Sequence, residues 1–483
     1  MNKPDLSLSD LGSYFPDDFT PEQRAKAQTV FLKELAASIH RYYRGKTASM
    51  PKAGVYGFNW FNVYYTPGVS MISTTIRDNN DTSFELSNRG NLVAVVSDST
   101  RVLGDGDVTP PGGLGVMEGK AFLMKYLGGV DGVALCVNSY NKEGKHDPDK
   151  IIDFVKMAEP SFGGVNLEDI SQPNCFRVLD TLREECDIPV WHDDAQGTAS
   201  VTLAGLLNAL KVVDKELKDV RIVFVGAGAA NSTGARLLLA DGADPEKMII
   251  FDSKGALHKG RDDVKADKAY YRKWELCEAT NPKRIDTETE AFEGADVVIG
   301  ASQPGTIKAE WIKTMASKAV VFACANPVPE IYPYAAKEAG AHVVATGRGD
   351  FPNQVNNSMG FPAILKGALM VRARKITDEM AIAAAHAVAD FAEKGKGITP
   401  DYIMPTMQET EVFAAEAADT AMQAIRDGVA RIELTREEVY KTTLADIMEA
   451  RATIDLLQKE GFIKAPDVKM LIEARDKAVA AVK

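Results

Sequence analysis

Cysteine is scarce in this 483-residue chain. There are five (Cys136, Cys175, Cys186, Cys277 and Cys324), scattered, odd in number and without a CxxC pair. That excludes a disulfide scaffold and a structural zinc site, and predicts a reducing, cytoplasmic compartment. Long apolar runs are missing too: no stretch approaches the roughly 18 uncharged apolar residues of a membrane span. The opening MNKPDLSLSDLG has neither the basic start nor the apolar run of a secretory signal. Basic charge is in deficit, with 56 Lys and Arg against 68 Asp and Glu and a net charge of -12. Neither nucleic acid nor an anionic membrane is expected as a partner. No repeat of about 20–50 residues recurs, which argues against a solenoid or propeller. What is present, 45% hydrophobic and 26% charged residues with 38 Gly and 22 Pro, excludes a disordered or collagen-like chain. At about 100–200 residues per domain, the length predicts two to four domains.

The pattern along the chain is that of an α/β protein. Residues 20–43 read as a helix, with Thr20 as N-cap, Pro21 at the first position, Gln23 three residues on, and Phe31, Leu35 and Ile39 at helical spacing. Between 92 and 194, the apolar runs LVAVVSD (92–98), GVALCVNS (132–139), GGVNLED (163–169) and IPVWHDD (188–194) alternate with amphipathic segments. Strand–helix alternation of this kind implies a parallel sheet. A helix over about 198–214 leads into a second set of predicted strands at 220–226, 247–252, 295–302, 319–325 and 341–346. Beyond about 367 the signal is helical, including the Ala-rich runs 380–392 and 414–427.

Three of the first four strands end in acids: Asp98, then Glu168-Asp169, then Asp193-Asp194. Parallel strands place their C-terminal ends on one edge, where open α/β sheets bind ligands. Glu168 and Asp193, joined by a single helix, should therefore be neighbours. Taken singly, such a pair begins a turn or caps a helix; two pairs on adjacent strand ends suit magnesium or manganese. The same edge gathers Arg101, able to clasp a carboxylate with two hydrogen bonds, and Lys120, early in a helix. A Lys beside a divalent cation has its neutral form favoured, and so can serve as a base. Upstream, Tyr65 precedes Thr66-Pro67-Gly68, a stiff turn that would project the phenol inward, although alone it reads as a core or turn aromatic. His192 reads as a hydrogen-bonded histidine at a strand end rather than a ligand.

VRIVFVGAGAANSTGARLLLADG is a strand, a glycine turn and a helix. Gly226 permits the tight turn, and Gly228, before Ala229 and Ala230, lets the backbone approach a pyrophosphate at the helix N-terminus. Asn231 stands at the third glycine position. Asp252 ends the next strand, placed to accept from a ribose 2′-hydroxyl and to repel a 2′-phosphate. NAD is favoured, with Lys254 leaving NADP open. A metal-lined carboxylate rim beside a nicotinamide domain suggests oxidation of a hydroxy acid.

Together these residues resemble the malic enzymes, especially the shorter bacterial type. The motifs are YTPGV (65–69), VVSDSTRVLG (95–104), GVMEGKA (115–121), NLEDI (166–170), IPVWHDDAQGTA (188–199), VGAGAA (225–230), ANPVPEI (325–331) and GRGDFPNQVNN (347–357). The resemblance implies oxidative decarboxylation of L-malate to pyruvate and carbon dioxide with NAD(P) and magnesium or manganese. It makes Glu168, Asp169 and Asp194 metal ligands, Lys120 the base that takes the hydroxyl proton, Asp193 its orienting partner and Tyr65 the acid that protonates the enol carbon. Arg101 would bind a malate carboxylate, and Asn326, Asn356 and Asn357 would contact malate or the nicotinamide ribose. Asp98-Ser99-Thr100, the GDGDVTPPGG loop and Trp191 depart from the family's usual pattern near the substrate. They keep a related 2-hydroxy diacid as an alternative. A malolactic-type conversion, a metal-free amino-acid dehydrogenase and a non-catalytic nucleotide sensor are further alternatives. The expected organisation is a helical segment (1–50), an α/β catalytic domain (51–199), a doubly wound Rossmann NAD-binding domain (200–372) and a helical C-terminal extension (373–483). Apolar helices flanking such a core predict a homo-oligomer, a dimer or larger.

Overall fold

The computed structural model describes residues 2–102 and 104–483, so Leu103 of the VVSDSTRVLG motif lies outside the described residues. Two compact units form, one of Met1–Met50 with Ala450–Lys483 and one of Pro51–Glu449. In the first, helix α1 (Pro21–Tyr43) begins with a capping box: Thr20 Oγ1 accepts from the Gln23 amide at 3.2 Å, and Gln23 Oε1 accepts from the Thr20 amide at 3.0 Å. Its apolar stripe, Phe31 and Leu35, packs with Phe15 on Leu471, Ala474 and Ala478 of the helix Val468–Ala480.

The larger unit opens with two helices, α2 (Trp60–Tyr64) and α3 (Val69–Asp78), neither of which buries a residue. Strands β1 (Leu92–Ser97), β2 (Asp131–Cys136), β3 (Gly164–Leu167) and β4 (Val190–His192) then form a parallel sheet in the order β2-β1-β3-β4. The intervening segments are helices α4 (Leu114–Gly128), α5 (Pro148–Ala158) and α6 (Asn174–Glu185). The central strand is an unbroken apolar run because both its faces are covered. Val93 and Val95 pack with Met117 and Met124 of α4, while Ala94 and Val96 pack with Ile151 of α5 and Val178 of α6. Each such valine contributes about 1.5–3 kcal/mol by leaving water. Edge strand β2 has no fully buried residue.

Helix α7 (Thr198–Val212) leads to a six-stranded sheet of β5 (Ile222–Val225), β6 (Met248–Asp252), β7 (Gly255–Ala256), β8 (Val297–Gly300), β9 (Val320–Ala323) and β10 (Val343–Thr346), with α8 (Ala229–Ala240) following β5. The order is β10-β9-β8-β5-β6-β7, parallel except for β7. The chain leaves β5 toward β6 and returns to β8 on its other side, so the strand order reverses between β5 and β8, where such sheets bind ligands. Ile222 and Phe224 face the α7 side with Leu203 and Leu206, and Val223 and Val225 face Phe292 and Ile312, so this sheet too is covered on both faces. Helices α9 (Phe361–Met370), α10 (Asp378–Gly395) and α11 (Glu411–Arg426) contribute Ala363, Val388, Phe413 and Ala417 to the same core. They belong to the larger unit, whereas 450–483 does not. Gly367 lets α9 and α11 approach closely; a Cβ there would lie 2.4 Å from the Ala417 carbonyl oxygen.

Every strand expected from the apolar runs is present, shortened by one to four residues, at several ends where side chains with other work take over. Asp169 leaves β3 with φ +53, and Asp193–Gly197 forms a π-helical turn between β4 and α7. The two-residue β7 carries no pattern of its own. No helix among the described residues is long and apolar enough to cross a membrane.

Candidate active site

The carboxylates meet at the C-terminal edge of the first sheet. Glu168, Asp169 and Asp194 each offer an oxygen within 4.8 Å of the others. Adjacent strands explain the meeting, since Leu167 of β3 is in register with His192 of β4. The backbone fixes it: the Asp169 amide donates to Asp194 Oδ2 at 2.6 Å, and the Arg101 amide donates to the Asp169 carbonyl at 2.9 Å. Lys120, 8% exposed, reaches in from the second turn of α4. Its Nζ lies 3.0 Å from Glu168 Oε1 and donates a short hydrogen bond to Asp193 Oδ2. Asp193 Oδ1 accepts from the Trp191 indole at 3.1 Å, and Asn166 donates to Glu168 Oε2 at 3.0 Å.

Four acids and one ammonium thus share this rim, with Glu168 and Asp193 in contact with Lys120. Burial works against the charge on Lys120, but the carboxylates of Asp193, Glu168 and Asp194 outweigh it and hold its pKa above the usual lysine value. Burial, and the crowding of like charge, push Glu168 well above the ordinary carboxylate range despite Lys120. Hard oxygen donors with excess negative charge and an accessible side, through the one-third-exposed Asp194, fit a divalent cation of the magnesium type. Asp98 plays another part. Its Oδ1 accepts from the Thr100 hydroxyl at 2.6 Å and its Oδ2 from Ser139 at 3.0 Å, so it is spent on the loops beyond β1 and β2.

At the second sheet Gly226, at φ +99, makes the turn after β5, and a Cβ there would lie 2.9 Å from the Ala301 carbonyl oxygen. A Cβ on Gly228 would meet open space, and no side chain caps α8, which begins at Ala229 and Ala230. An open backbone approach to free helix amides fits a pyrophosphate. Asn231 replaces the third glycine usefully: its amide donates to the carbonyls of Val225 at 3.1 Å and Gly226 at 2.9 Å, bracing the turn. Asp252 stands at the end of β6, but its charge is already matched. Arg261 grips both oxygens at 3.0 Å and Lys273 lies at 3.2 Å. Despite burial, these bonds keep Asp252 below the usual carboxylate range.

Asn357 lies beside Gly197, its Cβ 3.3 Å from where a Cβ on Gly197 would stand. Asn356 caps the turn at Asn357–Met359, accepting from the Ser358 amide at 3.0 Å. Asn326 is exposed after β9, on a loop braced by buried Glu330, which accepts from the amides of Ser302 and Ala325 at 2.6 and 3.0 Å. The Arg101 side chain is exposed at the rim. Two expectations fail. The Tyr65 phenol does not point inward; the residue is 73% exposed, because neither α2 nor α3 finds a core to pack against in its own chain. His192 is buried at the strand end but not hydrogen-bonded. Neither ring nitrogen has a partner, Asp194 Oδ2 being 3.8 Å away, and burial lowers its pKa, leaving a neutral ring.

Residues 58–183 match the malic enzyme N-terminal domain and residues 195–425 the malic enzyme NAD-binding domain. The chain belongs to the malic enzyme family. The crystal structure of Entamoeba histolytica malic enzyme superposes with a TM-score of 0.98 at 62% identity, covering 100% of both chains. A bifunctional malic/malolactic enzyme of Bacillus subtilis is 43% identical over 85% of this chain and 98% of its own length. An NAD-dependent malic enzyme of Geobacillus stearothermophilus is 45% identical over 76% of this chain and 74% of its own. Relatives named as NADP-dependent match as well, at 41% and 38% identity.

Within this malic enzyme fold, several residues around the lysine were not singled out from the sequence. A Cβ on Gly197 would lie 1.9 Å from Asp193 Oδ1, so only glycine lets Asp193 sit where it meets Lys120. The Phe361 ring lies 4.6 Å from Lys120 Nζ. Gly197 stands inside the HDDAQG motif, which is the one signal that would have found it. Phe361, Arg261 and Lys273 come from distant segments with no local pattern.

Proposed function

We propose that this malic enzyme converts L-malate to pyruvate and carbon dioxide while reducing NAD or NADP, with magnesium or manganese held by Glu168, Asp169 and Asp194. The reading rests above all on Lys120, gripped between Glu168 and Asp193 at the edge of that carboxylate cluster. Bound there, the cation supplies a Lewis acid for the substrate oxygen, and the dinucleotide supplies the hydride acceptor.

Arg101 binds a malate carboxylate, and Asn326 and Asn357, with Asn356 behind them, orient the substrate and the nicotinamide ribose through amide hydrogen bonds. Once a cation takes up the charge of Glu168, Asp169 and Asp194, Lys120 keeps Asp193 as its anionic partner but loses the support of the others, and burial beside a positive ion shifts it toward the free amine. Lys120 then takes the malate hydroxyl proton as C2 gives up its hydride, with Asp193 aiming the amine and Trp191 aiming Asp193. Loss of carbon dioxide leaves an enolate, and Tyr65 gives a proton to its carbon. Gly226, Gly228 and the amides of Ala229 and Ala230 receive the pyrophosphate. The preference for NAD over NADP would rest on Asp252. With Arg261 and Lys273 beside it, a 2′-phosphate meets no net repulsion, so both dinucleotides serve. The low cysteine content supports a cytoplasmic location.

The test is incubation with malate, manganese and either dinucleotide, following reduced cofactor, pyruvate and carbon dioxide together. Equimolar appearance of all three is expected. Lactate in place of pyruvate, or reduced cofactor with no carbon dioxide, would refute the reading.

A further inference from the structure

Beyond β1 the chain makes a hairpin that carries Arg101. At its base the Val108 amide donates to the Ser99 carbonyl at 3.1 Å, and further out the Val102 amide donates to the Gly106 carbonyl at 2.9 Å. Asp107, between these two pairs, therefore stands on the limb facing Arg101. The Arg101 limb is tied to the rim: its own amide donates to the Asp169 carbonyl, and Thr100 Oγ1 accepts from the Ser171 amide at 2.9 Å. The base is strained. Ser99 and Thr109 have φ of +62 and +65, a region uncommon for residues other than glycine and most of all for a β-branched one. Such conformations persist only where the surroundings hold them, and they gather at functional sites.

What holds the facing limb is a second hairpin, beyond β2. There the Asn141 amide donates to the Lys145 carbonyl at 2.8 Å, the Asp147 amide to the Ser139 carbonyl at 2.9 Å, and the Tyr140 and His146 rings lie 4.3 Å apart. His146 turns toward the first hairpin. Its Nε2 is 3.0 Å from Asp107 Oδ2, and since a carboxylate only accepts, Nε2 carries the hydrogen. Its Nδ1 is 2.7 Å from Ser139 Oγ, whose hydroxyl donates to the buried Asp98 at 3.0 Å. The other oxygen of Asp107 accepts from the Thr109 amide at 2.9 Å, inside the strained base. The Thr109 amide first, and His146 next, hold the Asp107 carboxyl below its usual range. No step of the proposed reaction uses His146 or Asp107, and neither belongs to the metal-binding cluster.

We propose that His146 is a positioning residue for substrate binding: through Asp107 it fixes the hairpin that presents Arg101 to a malate carboxylate. This rests on the assignment of Arg101 to that carboxylate. A guanidinium held in place binds without first ordering its loop, so the effect falls on substrate affinity and not on the chemical step. His146→Leu should raise the KM for malate about tenfold, with kcat and the KM for the dinucleotide within about twofold of the wild type. His146→Gln, whose amide can donate to Asp107 from nearly the place of Nε2, should recover most of the loss. Asp107→Asn, changed at a carboxylate that is nearly half exposed, should behave like His146→Leu and carries the test if that variant does not fold. The double variant should be no weaker than either single one, about tenfold and not about a hundredfold. An unchanged KM, additive losses or no recovery with glutamine overturns the proposal. So do equal losses in kcat and in affinity for both substrates, the mark of a general loosening. Arg101→Met is assayed beside them. Should its KM for malate match the wild type, it is the Arg101 assignment that fails; a raised KM there with a normal one in His146→Leu overturns the positioning role alone.

Discussion

Lys120 is held by opposing forces, burial against the surrounding acids, and its replacement separates structure from chemistry. Lys120→Met should fold, since the Phe361 ring accepts a thioether as readily as an ammonium, yet lose about 10²–10⁴-fold in kcat, with the KM for malate much less affected. Steady-state kinetics beside a thermal melt checks this. Gly197→Ala makes the complementary case. Its methyl would displace Asp193 from Lys120, costing about 1–3 kcal/mol of stability and most of the turnover, although residue 197 itself supplies no reacting group. At this scale the sequence was legible where chemistry sits on strand ends: Glu168, Asp169, Asp193 and Asp194 follow apolar runs, and parallel topology alone brings them together. It was illegible where a role depends on shape. Nothing in one dimension says that Asp98 is consumed by Thr100 and Ser139, or that His192 lies without a hydrogen-bond partner.

The elements themselves were read well because β1, β3, β5 and β9 are covered on both faces, and such strands are apolar without alternation. Their ends were not, because residues such as Asp169 leave the strand to serve the rim. In the proposed reading, strand β6 and the basic side chains gathered at its end would set cofactor choice. Arg261→Gln leaves Asp252 less well matched, and should raise the KM for NADP about tenfold, as for loss of one charge-assisted hydrogen bond of about 1.5 kcal/mol, while changing that for NAD much less. Parallel assays with the two dinucleotides read it directly. Helix α11 carries a different liability. Glu416 is buried with Oε2 unpartnered, and burial holds its pKa well above the ordinary glutamate value. A folded pKa raised above the unfolded one means that the group favours the fold below about pH 4.5 and that this contribution is lost as pH rises toward the folded value. Glu416→Gln should therefore be more stable than the wild type at pH 8 and similar to it at pH 4, as measured by urea unfolding at both values.

At the scale of the molecule, two parallel sheets present their C-terminal edges as the working surfaces, one carrying the acids and the lysine, the other the glycine turn. The uncharged stretch ahead of them stays unaccounted for within a single chain. Four acids sharing a rim with one ammonium are also a charge imbalance that the fold tolerates, and a bound cation relieves it. Manganese at about 100 times its Kd should stabilise the protein by about 2.7 kcal/mol and raise its melting temperature. The most direct test of the whole account is a manganese titration of EDTA-stripped protein, with bound ion followed by paramagnetic resonance and pyruvate formation followed alongside. The account predicts one tightly bound ion per chain, with binding and turnover lost together in Asp194→Asn while the circular dichroism is unchanged. Full turnover in the stripped protein, or an Asp194→Asn variant that binds manganese as tightly as the wild type, would contradict it.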